Sequence, residues 1–175
     1  MKKYINLILI SLLIMFSLNF SYADNKQLTV AYPGDDKQSV PLGKSYDYVD
    51  ILVKRVVDGD TIKLSNGTRV RLIGIDTPEM HESDKLYRDS RRSQQSIKAI
   101  MALGRRSYEF VRNLVEGKYV NIELDVEEYD QYGRLLAYVY LKDGTFVNAK
   151  IVEEGFASLL TFPPNIKYTD LFLRL

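Results

Sequence analysis

Three β-patterned segments joined by short turns, then a helix, two further β-patterned segments and a second helix predict an α+β chain, mainly β. That order suits a five-stranded Greek-key barrel of the OB type with helices packed on it. Two observations fix the strands: β-branched runs that alternate with polar residues, and Asp-Gly and Asn-Gly pairs between them. A period of two places alternate residues on opposite faces, and such pairs favour hairpin turns.

Each element follows in order. Ile51 to Val57 is rich in β-branched residues, and Asp58-Gly59 turns it into a second strand, Thr61 to Leu64. Ser65-Asn66-Gly67-Thr68 makes the next turn. Arg69 to Ile75 alternates Arg69 and Arg71 with Val70 and Leu72 and reads as one half-buried strand. Met80 to Gly104 is polar and basic and reads as a mobile loop passing into helix. Arg105 to Glu116 carries Tyr108, Val111, Leu114 and Val115 at helical spacing, with Gly117 as its stop. Tyr119 to Val126 and Gly133 to Leu141 read as strands, the latter apolar almost throughout and therefore central. Val147 to Glu154 is a short helix ended by Gly155, and Tyr168 to Leu175 reads as the opening of a last helix.

The domain organisation has three parts. Lys2 and Lys3, the apolar run Ile5 to Phe20 and the small residues around Ala23 have the form of a signal peptide, residues 1–23. Residues 24–46 are polar and turn-rich and read as a flexible leader; residues 47–175 form the folded domain. Export to a secreted or periplasmic location is therefore expected, with no membrane association after cleavage. Removing residues 1–23 takes two of 24 basic residues and none of 23 acidic ones, leaving 22 against 23, a net charge of −1. That excludes a broadly basic nucleic-acid coat protein and requires any phosphate binding to come from local arrangement. With no cysteine there are no disulfides, and with one histidine, His81, neither a zinc site nor a two-histidine mechanism is available.

The chemistry concentrates in two clusters. Asp58-Gly59-Asp60-Thr61 and Asp76-Thr77-Pro78-Glu79 flank a meander that brings Asp60 and Asp76 together on one cation. Carboxylates, a backbone carbonyl and water are ligands for Ca²⁺ or Mg²⁺. Glu79 is set to face a metal-bound water as base or orienter. Arg71, and Arg134 in the second cluster Asp130-Gln131-Tyr132-Gly133-Arg134, suit a phosphate and the charge of a five-coordinate transition state. Asp130 can orient an arginine, and Tyr132 can stack on a base. Alone, either aspartate turn reads as an ordinary turn; together they point to metal-assisted attack on a phosphodiester.

These residues in this order resemble the staphylococcal-type thermonuclease family, also called micrococcal nuclease-like, from about Val53 to Leu175. Phe146-Val147-Asn148 and Glu154-Gly155-Phe156-Ala157 extend the match. The resemblance implies a Ca²⁺-dependent nuclease that cuts DNA and RNA, preferably single-stranded, and leaves 3′-phosphate ends. It implies Asp60 and Asp76 as metal ligands with the Thr77 carbonyl, Arg71 and Arg134 on the phosphate, and Glu79 as general base. It also implies Asp58 as an acid behind the ligands and Tyr132 in the nucleotide pocket. A monomer with no stable protein partner is expected. The chain departs from the pattern at Gln131, at Leu159 to Phe162, and in its longer, more basic Met80 to Gly104 insert, whose Arg88, Arg91 and Arg92 are expected to hold substrate backbone. The family's last helix is longer, so the final helix is expected to be incomplete at Leu175. Two other readings carry their own signatures: a non-catalytic OB module binding nucleic acid or protein without metal, and an envelope-associated structural domain with no affinity for single strands.

Overall fold

The computed structural model describes residues 45–175. The expected signal peptide, and all but the last two residues of the leader, lie outside the described residues. Tyr46 packs its ring against Tyr140 at 5.3 Å between centroids, and the Asp47 amide donates to Ile122 O at 2.9 Å, so the described chain joins the barrel from its start.

Five strands close the barrel in the order β1-β2-β3-β6-β5: β1 (Tyr48–Asp58), β2 (Thr61–Leu64), β3 (Arg69–Leu72), β5 (Tyr119–Tyr129) and β6 (Leu135–Leu141). All pairings are antiparallel except β3 with β6, which is parallel, as a Greek-key closure requires. Closure leaves the barrel strands no free edge. β1 serves both β5 and β2, and its register shifts between Tyr48 and Ile51, where Asp50 adopts a φ of 54°. The bend explains why β1 starts earlier than its β-branched run: its first residues pair with β5 and need not face a core.

The strand expected from Arg69 to Ile75 is broken. β3 ends at Leu72, and β4 (Gly74–Asp76) leaves the barrel to pair with β7 (Ser158–Leu160), Asp76 opposite Ser158. Gly74 makes the break with a φ of +84°, and the Phe172 ring occupies the space a side chain there would need. An isolated glycine inside a strand pattern is the sequence signal for such a bend.

Two helices occupy the segment expected as a mobile loop passing into helix. α1 (Asp84–Ser93) is capped by Ser83, whose hydroxyl accepts from the Leu86 amide, and is stopped by Gln94 at a left-handed φ of 59°. α2 (Ile97–Val115) is capped by Ser96 and begins eight residues before the expected start. Ile100, Gly104, Ser107, Val111 and Val115 form its buried stripe, and this face lies on β1. Aliphatic residues fill the barrel, including Val53, Ile62, Val70, Leu72, Val120, Ile122 and Val139. α3 (Val147–Glu153) covers β6. Outside the barrel, Tyr138, Tyr140, Phe146, Tyr168 and Phe172 form an aromatic cluster. The segment expected as an opening helix is one turn, α4 (Thr169–Phe172), and Phe172 is buried in that cluster. Among the described residues no helix is long and apolar enough to cross a membrane.

Candidate active site

The meander sets the first half of the site. Thr61 opens β2 directly opposite Arg71 on β3. Alternation on β3 buries Val70 and Leu72 in the core and turns Arg71 outward, where it stays only half-buried. Asp60, just before Thr61, is itself buried. Its Oδ2 meets Arg71 Nη1 at 2.7 Å and accepts from the Thr77 amide and hydroxyl, each at 3.2 Å. Its Oδ1 accepts from the Thr61 hydroxyl at 3.2 Å. The bend at Gly74 brings β4 round so that Asp76 Oδ1 lies 3.3 Å from Arg71 Nη2. The two predicted carboxylates are thus brought together, and the Arg71 guanidinium bridges them.

The β5–β6 turn supplies the second half. Asp130 Oδ1 accepts from the amides of Tyr132 and Arg134, both at 2.9 Å, and its Oδ2 takes Arg134 Nε at 2.7 Å. Burial raises the Asp130 carboxyl, but the Arg134 and Tyr132 amides and the Arg134 guanidinium outweigh it and hold it below the usual range. The acid therefore stays ionised and fixes the arginine. Arg134 Nη1 reaches the Thr61 hydroxyl at 3.3 Å, and its guanidinium lies 5.5 Å from the centre of the Tyr132 ring. The outer face of that ring is open, with Tyr132 65% exposed. His81 is exposed in the loop before α1.

A residue that sequence reasoning passed over completes the patch. Lys85, in the first turn of α1, places Nζ 3.1 Å from Asp76 Oδ1, 3.0 Å from Glu79 Oε1 and 3.1 Å from Thr77 O. Burial pulls this ammonium down, but Glu79 and Asp76 more than offset it and hold it above the ordinary lysine range. Burial raises Asp76 despite Lys85 and Arg71. One continuous polar chain results: Arg134, Thr61, Asp60, Arg71, Asp76, Lys85, Glu79. Thr61 lies in the Asp58-Gly59-Asp60-Thr61 cluster but has no role of its own in the sequence reading, and Lys85 gives no signal, because a lone lysine in a polar insert is ordinary on any surface.

The donor chemistry fits a hard divalent cation. Asp76 Oδ1, Glu79 Oε1 and Thr77 O face one point, which the Lys85 nitrogen occupies, and carboxylate and carbonyl oxygens are what Ca²⁺ or Mg²⁺ takes. Among the described residues no three His, Asp or Glu side chains group closely enough to hold a metal by themselves. The Thr77 carbonyl and water would have to complete the shell, which leaves positions open for a substrate oxygen.

Asp58 stands behind Asp60, accepting its amide at 3.1 Å. Burial, and then the Asp60 charge, push its carboxyl up to about 6. A carboxyl whose folded pKa exceeds its unfolded value stabilises the fold fully below the unfolded value, and that contribution is lost as pH rises through about 6. In chelator at pH 7.5, Asp58→Asn should therefore be more stable than wild type by about 2 kcal/mol, a two-unit shift discounted for part exposure. The gain should vanish at pH 4. Thermal melts at the two pH values check it, and equal gains at both would refute the assignment.

Comparison with known proteins places this arrangement. The family model described as staphylococcal nuclease homologue matches residues 69–175. The chain is 39% identical over 132 residues to a thermonuclease of Staphylococcus intermedius, spanning 74% of this chain and 67% of that protein. It is 34% identical over 121 residues to a thermonuclease of Staphylococcus hyicus, spanning 67% and 63%. It is 32% identical over 144 residues to endonuclease YncB of Bacillus subtilis, spanning 79% and 62%. The chain thus spans about two thirds of the length of these relatives.

Proposed function

The chain belongs to the staphylococcal nuclease homologue family, and on that premise we propose that it is an exported, Ca²⁺-dependent nuclease that hydrolyses phosphodiester bonds of single-stranded DNA and RNA and leaves 3′-phosphate ends. The observation that carries the reading is the polar chain itself: two arginine forks and a set of hard oxygens on one patch of an OB barrel. A binding module needs the arginines but has no use for Asp76 and the Thr77 carbonyl facing one cation position with Glu79 beside it.

Asp60, Asp76 and the Thr77 carbonyl would hold the metal, which supplies charge to a phosphate oxygen and acidity to a water. The chain's own residues do the rest. Arg71 and Arg134 bind two non-bridging oxygens and neutralise the charge that grows as phosphorus becomes five-coordinate. Asp60 and Asp130 keep those guanidinium groups aimed. Glu79 orients the attacking water and takes its proton. The water oxygen bonds to phosphorus, the bond to the 5′-oxygen breaks, and that oxygen leaves and is protonated by solvent. The open face of Tyr132 stacks on a base without choosing among bases, as single-strand binding requires. Exposed Arg88, Arg91 and Arg92 on α1 continue the phosphate track beyond the patch. Export rests on the form of residues 1–23.

The direct test incubates the full mature chain with end-labelled single-stranded DNA and RNA, in Ca²⁺ and in chelator. Cleavage confined to Ca²⁺, with products that a 3′-phosphatase shifts on a gel, supports the reading. Strand binding without cleavage in either buffer would make the chain a binding module instead.

Gly104 gives a sharper check on Glu79. A side-chain carbon built on it would lie 2.5 Å from Glu79 O and 2.6 Å from Pro78 O, which are backbone atoms that cannot swing aside. Gly104→Ala should leave helix content unchanged, since alanine favours a helix. It should displace the Glu79 loop and lower kcat about a hundredfold, the scale of an ångström's misplacement. A fully active Gly104→Ala chain would mean that the position of this loop does not govern the chemistry.

A further inference from the structure

Lys85 is the one charged group of the patch that the hydrolytic scheme leaves without a task, and its contacts are specific. An ammonium has three donors. All three of its contacts, with Asp76 Oδ1, Glu79 Oε1 and Thr77 O, fall between 3.0 and 3.1 Å. Two of those oxygens belong to the proposed metal ligands, and the third to the proposed base. A cation bound by Asp76 Oδ1 and the Thr77 carbonyl cannot coexist with the nitrogen, because both need those two oxygens. From this we infer that Lys85 is an internal competitor for the cation site: its ammonium and the divalent metal are alternative partners of Asp76 Oδ1 and the Thr77 carbonyl, and metal binding expels it. The inference rests on the reading of Asp76 and Thr77 as metal ligands.

The consequences follow from mass action. Apparent metal affinity falls by the fraction of molecules in which the side chain has swung out. The same contact occupies Glu79, so the base is released for water only when the lysine leaves. Expelling it needs no unfolding: Leu86, the next residue, is fully buried and anchors α1, while the Lys85 side chain is 29% exposed and has a path to solvent. The swung-out ammonium then lies near Arg88 on the next turn, on the face proposed to follow the phosphate backbone.

Isothermal titration of the full mature chain with Ca²⁺ tests this without reading activity. Lys85→Gln should bind Ca²⁺ roughly tenfold more tightly than wild type, the gain expected if about a tenth of molecules are open. Arg88→Gln removes a nearby charge that makes no contact with those oxygens, and should change affinity by about threefold or less, as a screened charge does. The wild type supplies a measurement independent of any variant: the Lys85 side-chain ¹⁵N resonance should move on Ca²⁺ saturation, while that of Lys150, paired with Glu154 at 2.7 Å away from the site, should not. Affinity unchanged or weakened in Lys85→Gln, an equal gain in Arg88→Gln, or a stationary Lys85 resonance would overturn the inference while leaving the metal site standing. Failure of every chain to bind Ca²⁺ would overturn both.

Discussion

An Arg71→Ala chain is expected to cleave single-stranded DNA about 10³-fold more slowly than wild type at saturating substrate, the scale of losing a guanidinium that binds a transferring phosphoryl group. Two roles meet in this side chain. Its Nη1 and Nη2 bridge Asp60 and Asp76, at 2.7 and 3.3 Å, and the alternation of β3 aims the fork outward. On the proposed mechanism, removing it takes a cation from the transition state, and it leaves the buried Asp60 and half-buried Asp76 carboxylates facing each other. The loss should fall on kcat rather than KM, because the charge it meets grows only as phosphorus becomes five-coordinate. Arg71→Lys should recover little, since an ammonium is a point charge and cannot span two carboxylates with a planar fork. Single-turnover rates on a labelled oligonucleotide, with protein in excess, separate chemistry from binding. A loss under tenfold, or one confined to KM, would remove Arg71 from the transition state and leave it a structural bridge.

The legible part of this molecule is the part written in local pattern. β2 and β3 announce themselves by local pattern, and the Asp58-Gly59 and Asn66-Gly67 turns by their composition. α1 stayed hidden because it buries only Leu86; it is held by its caps, Ser83 and Gln94, and no apolar stripe exists to read. The early half of α2 stayed hidden because Gly104 looks like a helix end. It lies mid-helix because the Pro78–Glu79 backbone rests on it, a reason that exists only in three dimensions. The site divides the same way. Asp60 and Arg71 are legible because a meander must bring them together; Asp76 is legible from its Asp-Thr-Pro-Glu turn, although the Gly74 bend that delivers it is not. Lys85 owes its place to how α1 packs, and nothing in the residues from 80 to 104 states that.

Asn148 stands out in the sequence only as part of Phe146-Val147-Asn148, its structural role being illegible there, and its replacement should carry the largest cost in stability. It is fully buried on α3. Its Oδ1 accepts from the Val139 amide at 3.0 Å, and its Nδ2 donates to Ile73 O at 2.9 Å and Ala137 O at 3.3 Å. The Ala137 carbonyl also accepts from the Ile73 amide, so two backbone groups depend on Asn148. Asn148→Leu keeps the volume and orphans both, at about 1–3 kcal/mol each, so a loss of about 4 kcal/mol is expected. That is a large fraction of a domain stability of about 5–15 kcal/mol and should lower the urea midpoint by roughly 2 M. The effect reaches the site because Ile73 is the hinge between β3 and β4: the amide that satisfies its carbonyl also holds the bend that carries Asp76 to Arg71. Asn148→Asp should fare no better, since an ionised carboxylate keeps the acceptor for Val139 but cannot donate to Ile73. A midpoint shift under about 0.5 M in both variants would mean that water or a shifted backbone replaces the clasp, and that the bend at Gly74 is held by Phe172 alone.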